Sequence, residues 1–445
     1  IVNIMNKCTQ IKQVVCTFMI NLIFVSGSIA QIVDGGNGHA IVLDSLGQVW
    51  TIGRNDYGQL GDGSLINSNI PLKVKNLKSI QAISRGYDHS IALDSFGRLY
   101  LWGRNNYGQL GCSDVYDHST PQKLQNHDHF IAIEGGHWHT LGLKDDGLVW
   151  AWGHNYFGEL GNGNREHSQW PVNVLQMEDF KISPLNHVKK IATVGYHGLA
   201  LKEDGSVWAW GPNDFNELGH PCKGIQTYAN RIESLPTIVD IAVGWHHSVA
   251  LDNSGNIWVW GSDPAFQFKE ETKKMYDHPV PFTGLPKMKK IACGSWHSLA
   301  IDEQDRLWTW GKNHFGMLGT GDTISSSTPV LVPGLKDIVE IGGGCFQSIA
   351  IDKAKQIFTF GDNPSGQLGN GTNRRCLSPI SLDIIDASPI QHLTSDTINE
   401  SKHQLNKIQH SFQNSALFIL LLGSLILNFY FIFKTWKVQI SLSRR

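Results

Sequence analysis

Apolar and polar residues alternate along most of this chain in short runs with a period of two. The runs at residues 89–93 and 98–102 are examples, and Asp94-Ser95-Phe96-Gly97 lies between them. An alternation of this kind is typical of β-strands, and a polar segment that ends in glycine predicts a hairpin turn. Two further runs, at residues 71–74 and 79–83, complete a predicted unit of four short strands.

The unit recurs seven times. A histidine that opens one strand and an aromatic-glycine step that ends the next each repeat every 50 residues, with one step of 58 between the third and fourth copies. Gln347 takes the seventh place of the histidine series. The histidines are His39, His89, His139, His197, His247 and His297, and the glycines are Gly53, Gly103, Gly153, Gly211, Gly261, Gly311 and Gly361. A fixed period in this range indicates a repeat architecture.

One four-stranded sheet of this size cannot bury both of its faces, but seven sheets arranged radially can. The pattern therefore predicts an all-β fold, a seven-bladed β-propeller. The first repeat begins near Gln31 without a preceding Pro-x-x-Val strand, whereas the last repeat has an additional strand at residues 378–384. We expect this last strand to complete the first blade and to close the ring, which would leave no long exposed sheet edge.

Three motifs recur in order: Gly-x-x-His-[Ser/Thr]-x-[Ala/Gly]-Leu, then Gly-x-[Val/Leu/Ile]-[Trp/Tyr]-x-Trp-Gly, then Asn-x-x-Gly-[Gln/Glu]-Leu-Gly. Together they resemble the regulator of chromosome condensation repeat family over residues 31–385, and the resemblance implies a seven-bladed propeller. In the nuclear exchange factor that names the family, acidic and histidine residues in this part of the repeat engage the small GTPase Ran. Asp88 and His246 are the matching residue types in this chain.

Two copies depart from the pattern. The fourth is preceded by extra residues, which we place within 177–187, and the fifth lacks Gly-Gln-Leu-Gly after Gly261. These departures indicate either drift or divergence of these two blades for a separate purpose.

Composition fits one large propeller domain, because 41% of the 445 residues are apolar and 17% are charged. The formal net charge is −2. A chain without a basic field has no electrostatic support for nucleic-acid binding, so we expect no nucleic-acid partner.

Both ends of the sequence carry apolar segments. Residues 1–30 resemble a secretory signal with cleavage between Ala30 and Gln31, the alternative being an uncleaved hydrophobic segment. Residues 386–414 are predicted to form a flexible stalk, 415–434 a single transmembrane helix and 435–445 a short basic tail. The uncharged run Ala416–Phe433 is long enough to cross a membrane, and the basic residues after it predict a cytoplasmic tail. The propeller would then be extracytoplasmic.

The repeated histidines invite interpretation as metal ligands or bases, but recurrence once per blade favours a structural role. His127, His129, His137 and His139 are closer together, yet zinc requires ligands that converge at tight geometry. We therefore predict no catalytic residue, no metal site and no cofactor.

The residues between the glycine and the histidine of each repeat occupy equivalent places near one face of the ring. They are either rings that pack between blades or an aromatic partner-binding surface. The candidates are Tyr87, Asp88, Trp138, Tyr196, Trp245, His246, Trp296 and Phe346.

The first functional hypothesis is a membrane-anchored, non-enzymatic propeller that binds a protein partner through one face. The alternative is a guanine-nucleotide exchange factor or regulator of a Ran-like small GTPase, for example a bacterial effector on the cytosolic side of a host membrane. A third hypothesis, a lectin for glycans or small ligands, depends on the aromatic residues alone.

Overall fold

A computed structural model describes residues 30–262, 275–382 and 384. Within these residues every regular element is a β-strand, and the strands form seven sheets, one for each repeat, each built on four antiparallel strands. The predicted all-β, seven-bladed propeller is therefore confirmed.

The strands follow chain order, four to a blade. Blade 1 contains β1 (Ala30–Gly35), β2 (His39–Asp44), β3 (Val49–Gly53) and β4 (Ser68–Lys73), and blade 2 contains β5 (Ile80–Arg85), β6 (His89–Asp94), β7 (Leu99–Gly103) and β8 (His118–Lys123). Blade 3 contains β9 (Phe130–Gly135), β10 (His139–Lys144), β11 (Val149–Gly153) and β12 (Ser168–Asn173). An inserted hairpin, β13 (Leu175–Glu178) and β14 (Lys181–Pro184), precedes blade 4, which contains β15 (Val188–Thr193), β16 (Gly198–Lys202), β17 (Val207–Gly211) and β18 (Gln226–Arg231).

The last three blades repeat the pattern. Blade 5 contains β19 (Ile238–Val243), β20 (His247–Asp252), β21 (Ile257–Ser262) and β22 (Met275–Phe282), and blade 6 contains β23 (Met288–Cys293), β24 (His297–Asp302), β25 (Leu307–Gly311) and β26 (Ser326–Leu331). Blade 7 contains β27 (Ile338–Gly343), β28 (Gln347–Asp352), β29 (Ile357–Gly361) and β30 (Cys376–Leu382).

The hydrophobic core lies between neighbouring blades. In β2, Ile41 and Leu43 pack with residues of blade 2, whereas Ala40 and Val42, which point to the opposite face, pack with residues of blade 7. The period of two in the sequence thus produces a sheet whose two faces are both buried, each against a different neighbour. The repeated tryptophans fill these spaces, and the indole nitrogen of Trp102 donates to the carbonyl of Gln59 in blade 1 over 2.9 Å.

The closure that we expected from the sequence is wrong. β30 pairs with β29 of its own repeat, and blade 1 takes all four of its strands from residues 30–73. The long connection after the third strand of each repeat lets the fourth strand return to its own sheet. The ring instead closes where blades 1 and 7 meet face to face, assisted by mutual hydrogen bonds between Asn69 and Gly371.

The extra residues before blade 4 form the hairpin of β13 and β14, in agreement with the predicted insertion within 177–187. β13 adds to the outer edge of blade 4, with a parallel register of Gln176 opposite Ala229. Asp179 and Phe180 make the tight turn at positive φ, and the Phe180 side chain is fully exposed.

The repeated histidines connect the blades, which confirms their structural role. Each buried imidazole places Nε2 near a hydroxyl of the next blade, at 3.1 Å for His89 and Thr140 and 2.7 Å for His297 and Ser348. The Thr140 hydroxyl donates its own proton to the carbonyl of Gln109. Because that proton is already engaged, the imidazole must act as the donor, which assigns the proton to Nε2.

Two blades lack the hydroxyl residue, and at each of these junctions a different hydrogen bond replaces the usual one. Blade 4 has Gly198 where blades 2, 3, 5, 6 and 7 carry the hydroxyl residue, and Thr193 on the adjacent strand bonds His139 instead, at 3.2 Å. Blade 1 has Ala40 at this place, and the preceding blade carries Gln347, whose amide donates to the carbonyl of His39 at 3.1 Å. A histidine at 347 would have no hydroxyl to bond, and the glutamine reaches a backbone acceptor.

None of the described residues belongs to a helix that could cross a membrane. Except for Ala30, which begins β1, the predicted signal segment lies outside the described residues. So do the predicted stalk, transmembrane helix and basic tail.

Candidate partner-binding surface

The candidate residues lie in the loops between the first and second strands of the blades, all at one face of the ring. Backbone hydrogen bonds from blade to blade hold these loops, for example from the Tyr87 nitrogen to the Gly136 carbonyl (3.2 Å) and from Trp245 to Ser295 (2.9 Å). The loops are thus fixed by the same circular arrangement that fixes the blades.

The glycine of Gly-x-x-His is required by the packing of the histidine. A Cβ added at Gly86 would collide with the imidazole of His89, and the same is true of Gly244 and His247. The backbone before the histidine can therefore cross the imidazole ring only at a glycine, which has no side chain. This close approach determines where the two residues between glycine and histidine are displayed.

Aromatic rings from five consecutive blades form one cluster, which we call the aromatic surface. His137 is at its centre, because its ring centroid lies 4.1 Å from that of Tyr87, 4.8 Å from Tyr196 and 5.7 Å from Trp245. The aromatic surface consists of Tyr87, His137, Trp138, Tyr196, Trp245, His246 and Trp296. All except His137 are half-buried, so the rings both pack together and face solvent. The packing interpretation is therefore confirmed for these rings, and partner binding by their exposed parts stays a prediction.

Burial controls the ionisation of the polar members. It raises the pKa of Tyr87 and of Tyr196 to about 12. It lowers the pKa of His137 to about 3 and that of His246 to about 4, with nearby His154 and Lys312 adding to these shifts respectively. At neutral pH these groups carry no charge, so the aromatic surface is apolar with hydrogen-bonding edges.

Asp88, one of the predicted partner-binding residues, is almost fully buried. Its carboxylate is 1% exposed and lies between two arginines, 3.6 Å from Arg54 and 3.3 Å from Arg104. Burial raises its pKa, and the two guanidinium groups oppose that shift. The side chain therefore orders its neighbours rather than meeting a partner directly.

Of the other predicted residues, Trp138, Tyr196, Trp245, His246 and Trp296 join Tyr87 in the aromatic surface, whereas Phe346 packs against Phe315 (5.2 Å). The sequence did not single out the central role of His137. It also did not indicate a second tier, in which Tyr107 packs on Trp138 (5.3 Å) and Phe215 on His246 (4.0 Å). The signal was present, because the second residue after the repeated asparagine is aromatic at Tyr57, Tyr107, Phe157, Phe215 and Phe315.

Polar atoms within the aromatic surface are incompletely bonded. The indole nitrogens of Trp138 and Trp245 and Nδ1 of His137 and His246 are buried without a hydrogen-bond partner in the described structure. Burying such an atom without a partner costs about 1–3 kcal/mol. Nδ1 of the structural histidines, for example His89 and His247, is buried in the same way. Lys312 lies over the Trp296 ring at 3.8 Å and adds a cation at the rim.

The axis of the ring contains a cavity of about 300 Å³ lined by the first strands of the blades. Its charges are largely paired, since Lys190 bonds Asp240 of the next blade and Lys290 lies 2.6 Å from Glu340. Paired ions in a narrow channel favour a structural role for this space over ligand binding.

The four clustered histidines do not converge. His127 packs on Trp150, His129 lies beside Asp145, and His139 bonds Thr193, while His137 is part of the aromatic surface. This arrangement brings no three of them together as metal ligands.

The model of the RCC1-like domain matches residues 9–287 and, in a second overlapping match, residues 127–405. The chain belongs to the RCC1-like domain family. This confirms the family resemblance deduced from the motifs.

Three solved structures share the fold. Human WBSCR16 has a TM-score of 0.65 and 20% identity over 75% of this chain and 93% of its own. Yeast RCC1 (Prp20) bound to Kap60 has a TM-score of 0.62 and 24% identity, covering 73% of this chain and 81% of that one. A second structure of Prp20p from Saccharomyces cerevisiae, described with its binding properties to Gsp1p and histones, has a TM-score of 0.59 and 25% identity over 73% and 83%.

Among curated proteins, Ras guanine nucleotide exchange factor C of Dictyostelium discoideum is 47% identical over 38 residues. The match covers 8% of this chain and 3% of that protein, so the chain spans a very small part of its length.

Proposed function

We propose that this RCC1-like propeller is a non-enzymatic interaction module that binds a protein partner through the aromatic surface. The observation that carries the proposal is the continuity of half-exposed rings across five blades around His137. Aromatic clusters of this kind supply the anchors of protein interfaces, since rigid rings bury a large area at low entropic cost.

The chemistry of the aromatic surface suits a protruding apolar segment with carbonyl or carboxylate oxygens. Apolar side chains would cover the rings, and the oxygens would meet the indole and imidazole nitrogens that lack partners when the rings adjust. Lys312 at the rim adds attraction for an acidic flank. A glycan ligand is less well supported, because the rings pack on one another and so cover faces that a sugar would need. Trp245, for example, packs edge to face on Trp296 at 66° and is stacked on His246 at 1°.

The test is site-specific photo-crosslinking in the native cell. A photoreactive residue at Tyr196 is expected to give a discrete partner adduct, and one at Trp170, 48% exposed on an outer strand, is expected to give none. Trp245→Ala should abolish the Tyr196 adduct, while Trp170→Ala leaves it intact. A Tyr196 adduct that survives Trp245→Ala would contradict the role of Trp245 as an anchor, and a discrete adduct at Trp170 without one at Tyr196 would place the binding site elsewhere.

The alternative is nucleotide exchange on a Ran-like small GTPase, and family membership together with the binding of Prp20p to Gsp1p favours it. The buried position of Asp88 weighs against direct contact by that carboxylate. Purified full-length protein should be mixed with a Ran-type GTPase that carries a fluorescent guanine nucleotide. Acceleration of nucleotide release that is lost in Trp245→Ala would establish exchange, and an unchanged release rate would reject it.

Membrane attachment through residues 416–433, with an extracytoplasmic propeller and a cytoplasmic tail, is a further proposal from the sequence. Protease protection of tagged protein in intact vesicles, with sequencing of the N-terminus, tests it. A protected propeller that begins near Gln31 would support this topology and reject action on a cytosolic GTPase. A digestible propeller with an intact N-terminus would favour the alternative of a cytosolic face, including that of a host membrane.

A further inference from the structure

The loop before the outer strand of blade 2 brings together a thiol, a carboxylate and an imidazole. Asp114 lies 3.6 Å from the Cys112 sulfur and 3.1 Å from Nε2 of His118, and ligand atoms of all three residues lie within 4.8 Å of one another. Each of the three side chains is half-buried, so each contacts the rest of the protein and is also accessible to solvent.

The same loop in other blades shows that the fold does not need these residues. In each described case a buried asparagine organises the loop, and in blade 2 the Asn105 side chain donates to Asp114 (2.9 Å) and to the Cys112 sulfur (3.4 Å). At the places of Cys112, Asp114 and His118, blade 1 carries Asp62, Ser64 and Ser68, blade 3 carries Asn162, Asn164 and Ser168, and blade 6 carries Thr320, Asp322 and Ser326. Simple polar residues therefore satisfy the loop in blades 1, 3 and 6. Blade 4 carries His220, Cys222 and Gln226 at these places and blade 7 carries Asn370, Thr372 and Cys376, so the thiol, carboxylate and imidazole occur together in blade 2 but in none of the other described loops.

We propose that Cys112, Asp114 and His118 bind a zinc ion. Thiolate, imidazole and carboxylate are the donors that Zn²⁺ takes in proteins, and three protein ligands with a fourth position open to solvent is a known zinc arrangement. The thiolate disfavours Mg²⁺ and Ca²⁺, which require oxygen donors.

The distances agree with this assignment. Bond lengths of about 2.0–2.3 Å at a tetrahedral zinc ion place neighbouring donor atoms roughly 3.5 Å apart. Two of the three separations are already close to that value, and a small rotation of side chains brings in the third. On binding, the Cys112 thiol releases its proton to water. Nε2 of His118 loses the proton that it donates to Asp114, and the neutral imidazole binds the metal through Nε2 with its proton on Nδ1. The site then has two negative ligands that neutralise the charge of the ion.

The contacts of this loop with the aromatic surface suggest a role for the bound metal. Asn105 also begins the segment that carries Tyr107, which packs on Trp138 of the aromatic surface. A zinc ion would fix residues 112–118 relative to Asn105 and would offer its open position at the same side of blade 2. The inference is independent of the proposed partner binding, because zinc binding is measured on the isolated protein.

The experiment is a cobalt titration of the full-length protein, purified in mild detergent, stripped with a chelator and kept reduced. We expect one Co²⁺ per chain at this site, with thiolate-to-cobalt absorption in the near ultraviolet, the visible bands of tetrahedral cobalt, and displacement of both by Zn²⁺. Cys112→Asn, which copies Asn162 of blade 3, should abolish the thiolate band. His118→Ser, which copies Ser68 of blade 1, should abolish the tetrahedral bands.

Cys222→Ser is the matched control, because Cys222 accepts a hydrogen bond from the corresponding asparagine of blade 4 (3.3 Å) but belongs to no set of three ligands in the described structure. This variant should keep the full cobalt spectrum. Circular dichroism of each variant checks that the propeller remains folded. Absence of a thiolate band in the original protein, or its persistence in folded Cys112→Asn, would overturn the assignment.

Discussion

Gln347 of blade 7 donates a hydrogen bond of 3.1 Å to the carbonyl oxygen of His39 in blade 1, across 308 positions of the chain. The bond joins the last blade to the first at the place where every other junction uses a histidine and a hydroxyl. Both residues are fully buried. The ring is therefore closed by packing and by this glutamine-to-carbonyl hydrogen bond, which replaces the histidine-hydroxyl pair of the other junctions. No strand among the described residues is shared between repeats.

This relationship predicts coupling between positions 347 and 40. Gln347→His alone should lower the free energy of unfolding by about 1–3 kcal/mol, because a buried imidazole nitrogen would face Ala40 and lack an acceptor. Adding Ala40→Ser should restore much of the loss by recreating the junction of the other blades. Chemical denaturation of the two single variants and the double variant measures this coupling, and strictly additive effects would contradict it.

Acid should destabilise the propeller through its buried histidines. Burial lowers the pKa of His39, His89, His197, His247 and His297 to about 3 and that of His139 well below its usual value. The unfolded chain takes up protons near pH 6.5, before the folded chain does. Stability is thus complete above about pH 6.5 and is lost as the pH falls towards 3, by up to about 1.4 kcal/mol per pH unit for each histidine.

The variant His297→Gln, which copies Gln347, isolates one of these contributions. The slope of unfolding free energy against pH should become shallower by one proton between about pH 6 and 4. Denaturation curves at several pH values give this slope. An unchanged slope would mean that His297 is not neutral in the folded protein.

Glu217 should make the protein less stable at alkaline than at mildly acidic pH. The side chain is 2% exposed, and burial raises its pKa to about 7. Because the unfolded carboxyl ionises first, its full contribution is present below about pH 4.5 and declines as the pH rises to 7. Glu217→Gln, which copies Gln59 and Gln109, should add about 2–3 kcal/mol at pH 8 and nearly nothing at pH 4.

Glu159→Gln provides the contrast at the equivalent place in blade 3. Glu159 lies 2.6 Å from Nδ1 of His154, so this carboxylate has the partner that Glu217 lacks. We expect Glu159→Gln to destabilise the protein at pH 8. Equal gains in unfolding free energy at pH 8 for both variants would show that burial of the carboxylate alone, and not its hydrogen-bond partner, determines the effect of the substitution.

The inserted hairpin should be dispensable for folding. Removing Met177–Pro184 restores the step of 50 residues. The hairpin joins blade 4 through one parallel register position and a hydrogen bond of 2.6 Å from Lys202 to Gln176, and Gln176 remains in the shortened chain. The shortened protein should lose less than about 2 kcal/mol of stability, since Leu185 and Val174 remain to fill the core. Denaturation measures this, and the Tyr196 crosslink should persist if the aromatic surface is the binding site.

The sequence by itself determined the number of blades, the four-strand unit and the structural role of the repeated histidines. It could do so because the alternation of residues along each strand and the 50-residue repeat both follow directly from burial, since both faces of each sheet are covered by neighbouring blades. It also placed most of the aromatic surface, since equivalent positions of a closed ring must lie at one face.

Only the tertiary structure decided how the ring closes, because a fourth strand can pair with its own sheet or with another blade without any change in its pattern. It also decided the separate roles of Asp88 and His137. Whether a side chain between Gly and His points into a pair of arginines or into a group of rings depends on its neighbours around the ring. The arginines beside Asp88 belong to the loops after the third strands of blades 1 and 2, and the rings of Tyr87, Tyr196 and Trp245 around His137 lie 50 or more residues away in the sequence. The tertiary structure also decided the position of His118. This residue becomes a candidate ligand only because the loop folds it back onto Asp114 and Cys112.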